Sequence, residues 1–459
     1  MTLEKINTVY FLGIGGIGMS ALARFFLLQG KQVHGYDLTP TELTSQLISE
    51  GAHIHFDEDL RRIPPQVDVA IFTPAIPKKH KEYLYFIENE IPLLKRSEIL
   101  GIICAEYPTI AVAGTHGKTT TTAMITQMMV KRDSLYKILS FIGGISKNIN
   151  TNFFCDPNFN TIIAEADEFD RSFLTLYPQV AIITSIDADH LDIYGDHDHL
   201  KASFQLFANQ IQPTGTLVVF DEIADKIEHP NKVCYGFSEN ADYRISEIQY
   251  YATKTVLHLT SLFSNLTPLT INLPGKHNAL NAVAAFAASL EFLFWKNNGS
   301  VNSHIIKTLE KQLADFSGVK RRFDIRIQRD DFVYIDDYAH HPEEIRAFLD
   351  AVKKSYPTKK ITGIFQPHLY SRTRDFALEF AEALEVLDEI ILLDIYPARE
   401  MPIEGITSNY LLSLIKNTNK KLFDREKLVP YLQEHKPEVL LTMGAGDIDR
   451  LVGVLELIS

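Results

Sequence analysis

Short, nearly unbroken apolar runs recur along this chain and alternate with amphipathic stretches. In the first hundred residues the runs are TVYFLGI, QVHGYD and DVAIFTP. Strands buried on both faces of a parallel sheet read this way, and the stretches between them read as helices covering that sheet. A new strand, TIAVAG at 109–114, leads on to TIIAEA, VAIITSI and TLVVF and to a long Ala-rich helix predicted over Asn278–Leu290. After about residue 319 a third alternation runs through VYIDDY, ITGIFQ, EIILLDIY and VLLTMGAG, a doubly wound α/β pattern. The pattern predicts an α/β protein of three domains, 1–107, 108–318 and 319–459, with boundaries near Tyr107 and Gly318. No short repeat and no low-complexity tract interrupts it.

One segment imitates a membrane span. Val9–Leu28 is almost wholly apolar, yet it contains Arg24, which is costly in hydrocarbon, and four glycines at 13, 15, 16 and 18. No small-x-small cleavage site follows Leu28, which argues against a signal peptide. The better expectation is a strand over Val9–Ile14, a glycine turn, and a helix from about Met19 to Gln29. Composition agrees with a globular chain of 459 residues, 46% apolar and 22% charged. Its 45 basic and 58 acidic side chains give a net charge of −13, which argues against nucleic acid or an anionic membrane as partner. Cys104, Cys155 and Cys234 form no pairing or metal-binding pattern, so a cytoplasmic protein is expected. Oligomeric state stays open between monomer and homodimer.

Two glycine loops carry the candidate chemistry. Gly13-Ile14-Gly15-Gly16-Ile17-Gly18 is a G-x-G-x-x-G that follows a strand and opens a helix, the context in which backbone N–H groups and a helix N-terminus receive a pyrophosphate. Asp37 ends the next strand 19 residues after Gly18, where an acidic side chain meets a ribose hydroxyl. A glycine turn that only packs helix on strand is the plain alternative. The motif does not distinguish NAD, FAD and a UDP-sugar.

The second loop is Gly114-Thr115-His116-Gly117-Lys118-Thr119-Thr120, between a strand and a Thr-rich helix start. Its backbone would cradle phosphates, Lys118 would offset charge on the β- and γ-phosphates of ATP, and the Thr119 hydroxyl would face Mg²⁺. It departs from the ordinary P-loop, because Val112 stands where the first glycine is expected.

GTHGKTTTT resembles the ATP loop of the Mur ligases, which build the peptide stem of bacterial cell-wall precursors, and GIGGIGMSALA resembles the N-terminal loop of that family. Further resemblance runs in order through AEADEFDRSFL (164–174), SIDADHLDIYG (185–195), PGKHNALNAVAA (274–285), FSGVKRRF (316–323), DDYAHHPEEI (336–345), FQPHLYSRTRD (365–375), DIYPAREMPIEG (394–405) and TMGAGDI (442–448). The resemblance implies an N-terminal Rossmann-like UDP-sugar domain, a central P-loop ATPase-like domain, and a C-terminal Rossmann-like domain completing the ATP and amino-acid site. It implies ATP-driven amide formation between the lactyl carboxylate of UDP-N-acetylmuramate and L-alanine, through an acyl phosphate. Lys118, Glu165 and His190 would be catalytic, with Thr119, Glu165 and His190 at the metal. Imidazole is an unusual partner for Mg²⁺, so the role of His190 rests on the resemblance. His277, Asn278 and Asn281 would meet the adenine, Arg322 the phosphates and Asp337 the ribose. Tyr338, His340 and Arg372 would position the acyl group and the amino acid.

Three departures and three rivals bear on this reading. Leu369 stands where many relatives carry Arg, GAHIHFDED lacks the Gly-His that often follows GA-x-I, and Arg399 replaces a small residue. An NAD-dependent oxidoreductase would use GIGGIG and Asp37 but leave GTHGKTT without a task. A P-loop ATPase switch would leave the first loop unexplained. Within the family, a ligase attaching a recycled tripeptide typically has E-P-R where this chain has Gln366-Pro367-His368.

Overall fold

A computed structural model describes residues 2–130, 136–187, 194, 196–261, 268–398 and 400–458. The chain divides into two compact units. One comprises Met1–Glu247, His258–Leu269 and Leu280–Phe316; the other comprises Ile248–Leu257, Thr270–Ala279 and Ser317–Ser459.

Three sheets account for the apolar runs. The first holds β1 (Thr8–Leu12), β2 (Gln32–Tyr36), β3 (His53–His55), β4 (Val69–Phe72) and β5 (Leu93–Lys95), all parallel, in the order β3-β2-β1-β4-β5. β1 is buried at all five positions, as its unbroken apolar sequence requires of a central strand. Helix α1 (Ile17–Leu28) follows it from an N-cap at Gly16. The membrane-like segment is therefore strand, turn and helix, with both elements starting slightly earlier than the sequence suggests. Helix α2 (Arg96–Cys104) follows β5.

The second sheet has ten strands: β6 (Thr109–Ala113), β7 (Ile138–Ser146), β8 (Thr151–Cys155), β9 (Thr161–Glu165), β10 (Val180–Ile183), β11 (Thr216–Phe220), β12 (Lys232–Gly236), β13 (Tyr243–Tyr250), β14 (Thr255–Ser261) and β15 (Leu269–Ile271). Its order is β15-β14-β13-β12-β11-β10-β6-β9-β7-β8. Helix α3 (Lys118–Met129) leaves the second loop. Two of its inward hydroxyls bond the helix's own backbone, Thr122 donating to the Lys118 carbonyl and Thr126 to that of Thr122, each one turn back. The Ala-rich helix α4 spans Lys276–Lys296, longer than the sequence suggests. It is long and apolar enough to cross a membrane, but 78% of its apolar window is buried inside the protein.

The third sheet contains β16 (Asp324–Gln328), β17 (Val333–Asp337), β18 (Ile361–Phe365), β19 (Glu389–Leu392), β20 (Lys420–Leu422) and β21 (Val439–Met443), in the order β16-β17-β21-β18-β19-β20. β16 is antiparallel to its neighbour; the others run parallel. Helices α5 (Pro342–Ser355) and α6 (Tyr370–Asp375) follow β17 and β18. In the first two sheets each glycine loop leaves a strand flanked on either side by strands reached in opposite directions, the point where open α/β sheets bind ligands.

Candidate active site

At the first loop, Gly13 has φ +85° and its N–H bonds the Tyr36 carbonyl, so the chain turns sharply off β1. Asp37 does not stand free at the end of β2: its Oδ2 accepts the Gly15 N–H at 2.7 Å. Gly16 caps α1, Ile17 opens it, and Gly18 lies under Arg96. A Cβ on Gly18 would come within 2.9 Å of the Arg96 Cδ. The third glycine thus makes room for a cation rather than for a helix–strand contact. Arg96, at the start of α2, also pairs with Asp167 at 3.2 Å. Sequence reasoning missed it, since one Arg after a short strand carries no local signal.

The second loop is braced from β10. Ser185 Oγ accepts the His116 N–H at 2.9 Å and pairs with the Thr115 hydroxyl at 2.8 Å. Gly117 takes the left-handed conformation, φ +84°, to open α3, and Asn281 Oδ1 would lie 2.3 Å from a Cβ there. Asn281 therefore sits against the second glycine loop itself. Gly114, Thr115 and His116 form the turn; Thr119 and Thr120 are buried in the first turn of α3.

Lys118 folds over this loop. Its Nζ donates to the Gly114 carbonyl at 2.7 Å and meets Glu168 at 2.8 Å. Glu168 is wholly buried. Burial pushes its carboxyl up to about 7, against the opposing pull of Lys118. Burial works to lower the Lys118 ammonium, but Glu168, Asp167 and Glu165 outweigh it and hold the group protonated. In the sequence Glu168 is the next candidate after Glu165 for the metal within an acidic run; the structure makes it the partner of the loop lysine.

Glu165 ends β9 beside the loop. Its Oε1 accepts from the Thr119 hydroxyl at 3.1 Å and its Oε2 from the Gly143 N–H at 2.8 Å. A hydroxyl and a carboxylate so close together are hard oxygen donors of the kind Mg²⁺ takes in phosphate sites, where one or two protein oxygens suffice. Among the described residues no group of three His, Cys, Asp or Glu side chains forms a larger metal cluster. His190 and Arg399 lie outside the described residues.

The other predicted residues lie in the second unit or at the start of α4. Asp337 is buried and spends both oxygens on backbone: Oδ2 on the Phe323 N–H at 2.6 Å, Oδ1 on the Ala339 N–H at 2.7 Å. Burial raises its carboxyl to about 7 against the pull of Arg322. Its work in this structure is to hold the turn at 321–323, where Arg321 and Phe323 have positive φ. That turn places the Arg321 and Arg322 guanidinium carbons 5.2 and 5.0 Å from the Tyr338 ring centre, and Arg322 reaches Glu344 at 3.8 Å. His340 stacks edge-on to Tyr338 and lies 3.2 Å from Glu344. Arg372 sits on α6, whose preceding residue Leu369 has φ +72°, a conformation few side chains adopt. At the start of α4, Asn278 donates to the Pro274 carbonyl at 2.8 Å, so local bonding uses its amide. Burial lowers the His277 imidazole to about 4, so it is neutral at pH 7.

Three family models match in succession: the Mur ligase family catalytic domain over residues 8–108, the Mur ligase middle domain over 112–289, and the Mur ligase glutamate ligase domain over 321–446. A UDP-N-acetylmuramate–L-alanine ligase from Flavobacterium psychrophilum is 46% identical over 456 residues, covering 98% of both chains.

The chain belongs to the Mur ligase family.

Other relatives agree with this Mur ligase along its length. The UDP-N-acetylmuramate–L-alanine ligase of Flavobacterium johnsoniae is 44% identical, with 98% of both chains covered. The crystal structure of the UDP-N-acetylmuramate–alanine ligase of Thermotoga maritima superposes with a TM-score of 0.79 at 28% identity, covering 97% of each chain. A murein peptide ligase from Psychrobacter arcticus has a TM-score of 0.71 at 20% identity, a likeness of fold alone. The three-domain Mur ligase fold read from the sequence is the fold of this chain.

Proposed function

We propose that this Mur ligase joins L-alanine to the lactyl carboxylate of UDP-N-acetylmuramate, consuming ATP and releasing ADP and phosphate in peptidoglycan precursor synthesis. The observation that carries the choice of substrates is the end-to-end match to a UDP-N-acetylmuramate–L-alanine ligase at 46% identity. Segment 1–107 binds the UDP-sugar through Gly13, Gly15, Gly16, Ile17, Gly18 and Asp37. Segment 108–318 binds ATP through residues 114–120 and Asn281, and segment 319–459 supplies Arg322, Tyr338, His340 and Arg372. The reaction belongs in the cytoplasm, where ATP and soluble nucleotide precursors meet.

The residues divide the work as follows. Backbone N–H groups of the 114–119 loop enclose the phosphates, and Lys118 brings a fixed positive charge to them. Mg²⁺, when bound, neutralises phosphate charge, and Thr119 Oγ1 and Glu165 Oε1 would hold it. A lactyl carboxylate oxygen attacks the γ-phosphorus, the bond to the ADP oxygen breaks, and an acyl phosphate results. The neutral amine of alanine then attacks the acyl carbon; phosphate leaves and the nitrogen sheds its proton. Arg372, a planar fork, suits the alanine carboxylate.

Phosphate release assayed with ATP, Mg²⁺ and UDP-N-acetylmuramate, across single amino acids and the stem tripeptide, tests this function. Release should require L-alanine and match amide product one to one. Turnover with the tripeptide alone would transfer the assignment to the recycling ligase, and turnover with NAD and none with ATP would end it.

A further inference from the structure

The hairpin formed by β7 and β8 touches the first turns of α1, after the first glycine loop, and the Glu165 carboxylate beside the second, and sequence reading assigned it nothing. β7 and β8 are antiparallel, with the register shifting between the pairs Phe141–Phe153 and Ser146–Thr151. Gly143 and Asn152 both lie in that irregular stretch. Gly143 gives its N–H to Glu165 Oε2, and a Cβ at 143 would come within 2.2 Å of the carboxylate, so only glycine lets the hairpin approach Glu165 this closely. Asn152 reaches the other way. Its Nδ2 donates to the Ile17 carbonyl at 2.5 Å and to Ser20 Oγ at 3.0 Å, both in the first turns of α1. Its Oδ1 accepts from Arg24 Nη1.

Asn152 and Ser20 are wholly buried, and Arg24 is 6% exposed. Arg24 also gives its Nε–H to Glu50 at 2.9 Å and an Nη2 N–H to Gln46 at 3.2 Å. Phe25, next to Arg24 in the chain, packs on Phe141, and Phe141 on Phe153, next to Asn152, with ring centres 6.2 and 5.6 Å apart. An apolar contact would hold two layers together at less desolvation cost, but it would tolerate sliding. Three directional bonds at one amide fix position as well as contact.

We propose that Asn152 is a positioning residue for the ligation reaction. The hairpin holds the first turn of the UDP-sugar loop at Asn152 and the Glu165 carboxylate at Gly143. It thereby fixes the spacing between the lactyl carboxylate, the phosphoryl acceptor, and the phosphate being transferred. The proposal rests on the reading of the two loops given above. A displacement of about 1 Å in such a site costs on the order of a hundredfold in rate.

The test uses the full-length enzyme. Wild-type ligation with UDP-N-acetylmuramate and L-alanine is measured first; its absence would sink the substrate reading, whatever the hairpin does. Asn152→Asp keeps the acceptor for Arg24 and removes both donors to α1, and Asn152→Ala removes all three bonds. In folded protein, kcat should fall tenfold or more in both variants, while the KM for ATP stays within twofold. Wild-type kcat in either folded variant overturns the proposal. A structural residue would lower the melting temperature and leave kcat per folded molecule intact. A second measurement needs no variant: UDP-N-acetylmuramate alone should slow amide hydrogen exchange in 138–155 of the wild-type enzyme. Exchange there unchanged by saturating UDP-sugar also overturns the proposal.

Discussion

Replacing Lys118 by Met removes the loop's cation but leaves Glu168 where it is, wholly buried and without its 2.8 Å partner. Breaking a buried pair from one side costs about 3–5 kcal/mol, because the remaining charge is uncompensated. The Lys118 side chain is only 14% exposed, so solvent screening discounts little of this. Even with Lys118 present, burial holds the Glu168 carboxyl near 7 rather than the ordinary 4.5. At about 1.4 kcal/mol per pH unit, charging it in the fold already costs on the order of 3 kcal/mol relative to the unfolded chain. Without Lys118 the carboxyl must rise further. A carboxyl raised in the folded state contributes stability that is fullest below its unfolded value and lost as pH climbs through its folded one. Lys118→Met should therefore gain stability on acidification from pH 8 to pH 6, by about 1.4 kcal/mol per pH unit relative to a double variant lacking the titrating group.

That double variant, Lys118→Met with Glu168→Gln, supplies the comparison. Urea unfolding at pH 8 should place it above the single variant by about 2–4 kcal/mol, with the gap closing toward pH 6. Ligation should fall a hundredfold or more in both, since the cation proposed to face the phosphates is gone from each. Equal stability of the single and double variants at pH 8 would refute the reasoning, as would a gap independent of pH. Recovery of activity in the double variant would show that Lys118 serves the fold and not the reaction.

Gly18→Ala must displace Arg96, because its Cβ would come within 2.9 Å of that side chain; titration calorimetry should show UDP-N-acetylmuramate bound at least tenfold more weakly with ATP affinity unchanged, and equal losses would point to general misfolding. Asn281→Ala should raise the KM for ATP several-fold with a smaller effect on kcat, since its amide packs on Gly117; an unchanged KM with a lowered melting temperature would make it a packing residue. Glu165→Ala should raise the Mg²⁺ concentration needed for half-maximal ligation about tenfold or more, and an unshifted Mg²⁺ titration would remove Glu165 from the metal site.

The parts legible in the sequence were those whose signal is local. Strands such as TIAVA announce themselves because burial on both faces demands an unbroken apolar run, and the glycine loops because a tight turn before a helix needs glycine at fixed offsets. The β7–β8 hairpin was not legible: ILSFIGGIS is interrupted by Gly143-Gly144, and the reason for that interruption, the approach of Glu165, lies 22 residues away. In EADEFDR the carboxylates look alike in sequence; only burial separates Glu168, wholly enclosed, from Asp170, 37% exposed against Lys95. Spacing suggested one ligand edge for Asn278 and Asn281. The structure spends Asn278 on Pro274 and sets Asn281 on Gly117, because residues three apart share a helix face but not the same backbone neighbours.

The same comparison explains how a chain of net charge −13 can serve a reaction that gathers anions. Five cations in this fold are each met by a carboxylate: Lys118 by Glu168, Arg96 by Asp167, Lys95 by Asp170, Arg321 by Asp336 and Arg322 by Glu344. Such pairing holds each long side chain in one place before any ligand arrives, so the ordering entropy that binding would otherwise exact is already spent. It also sets a limit. A phosphate recruits one of these cations only by outcompeting a carboxylate, so the free energy of each contact is the difference between two charged hydrogen bonds rather than the whole of one. On the proposed reading, tight ATP binding must then draw on the backbone N–H groups of the second loop, where Thr115 and His116 are bonded to Ser185 rather than to a carboxylate, while the paired cations act chiefly on the arrangement of charge as the acyl phosphate forms.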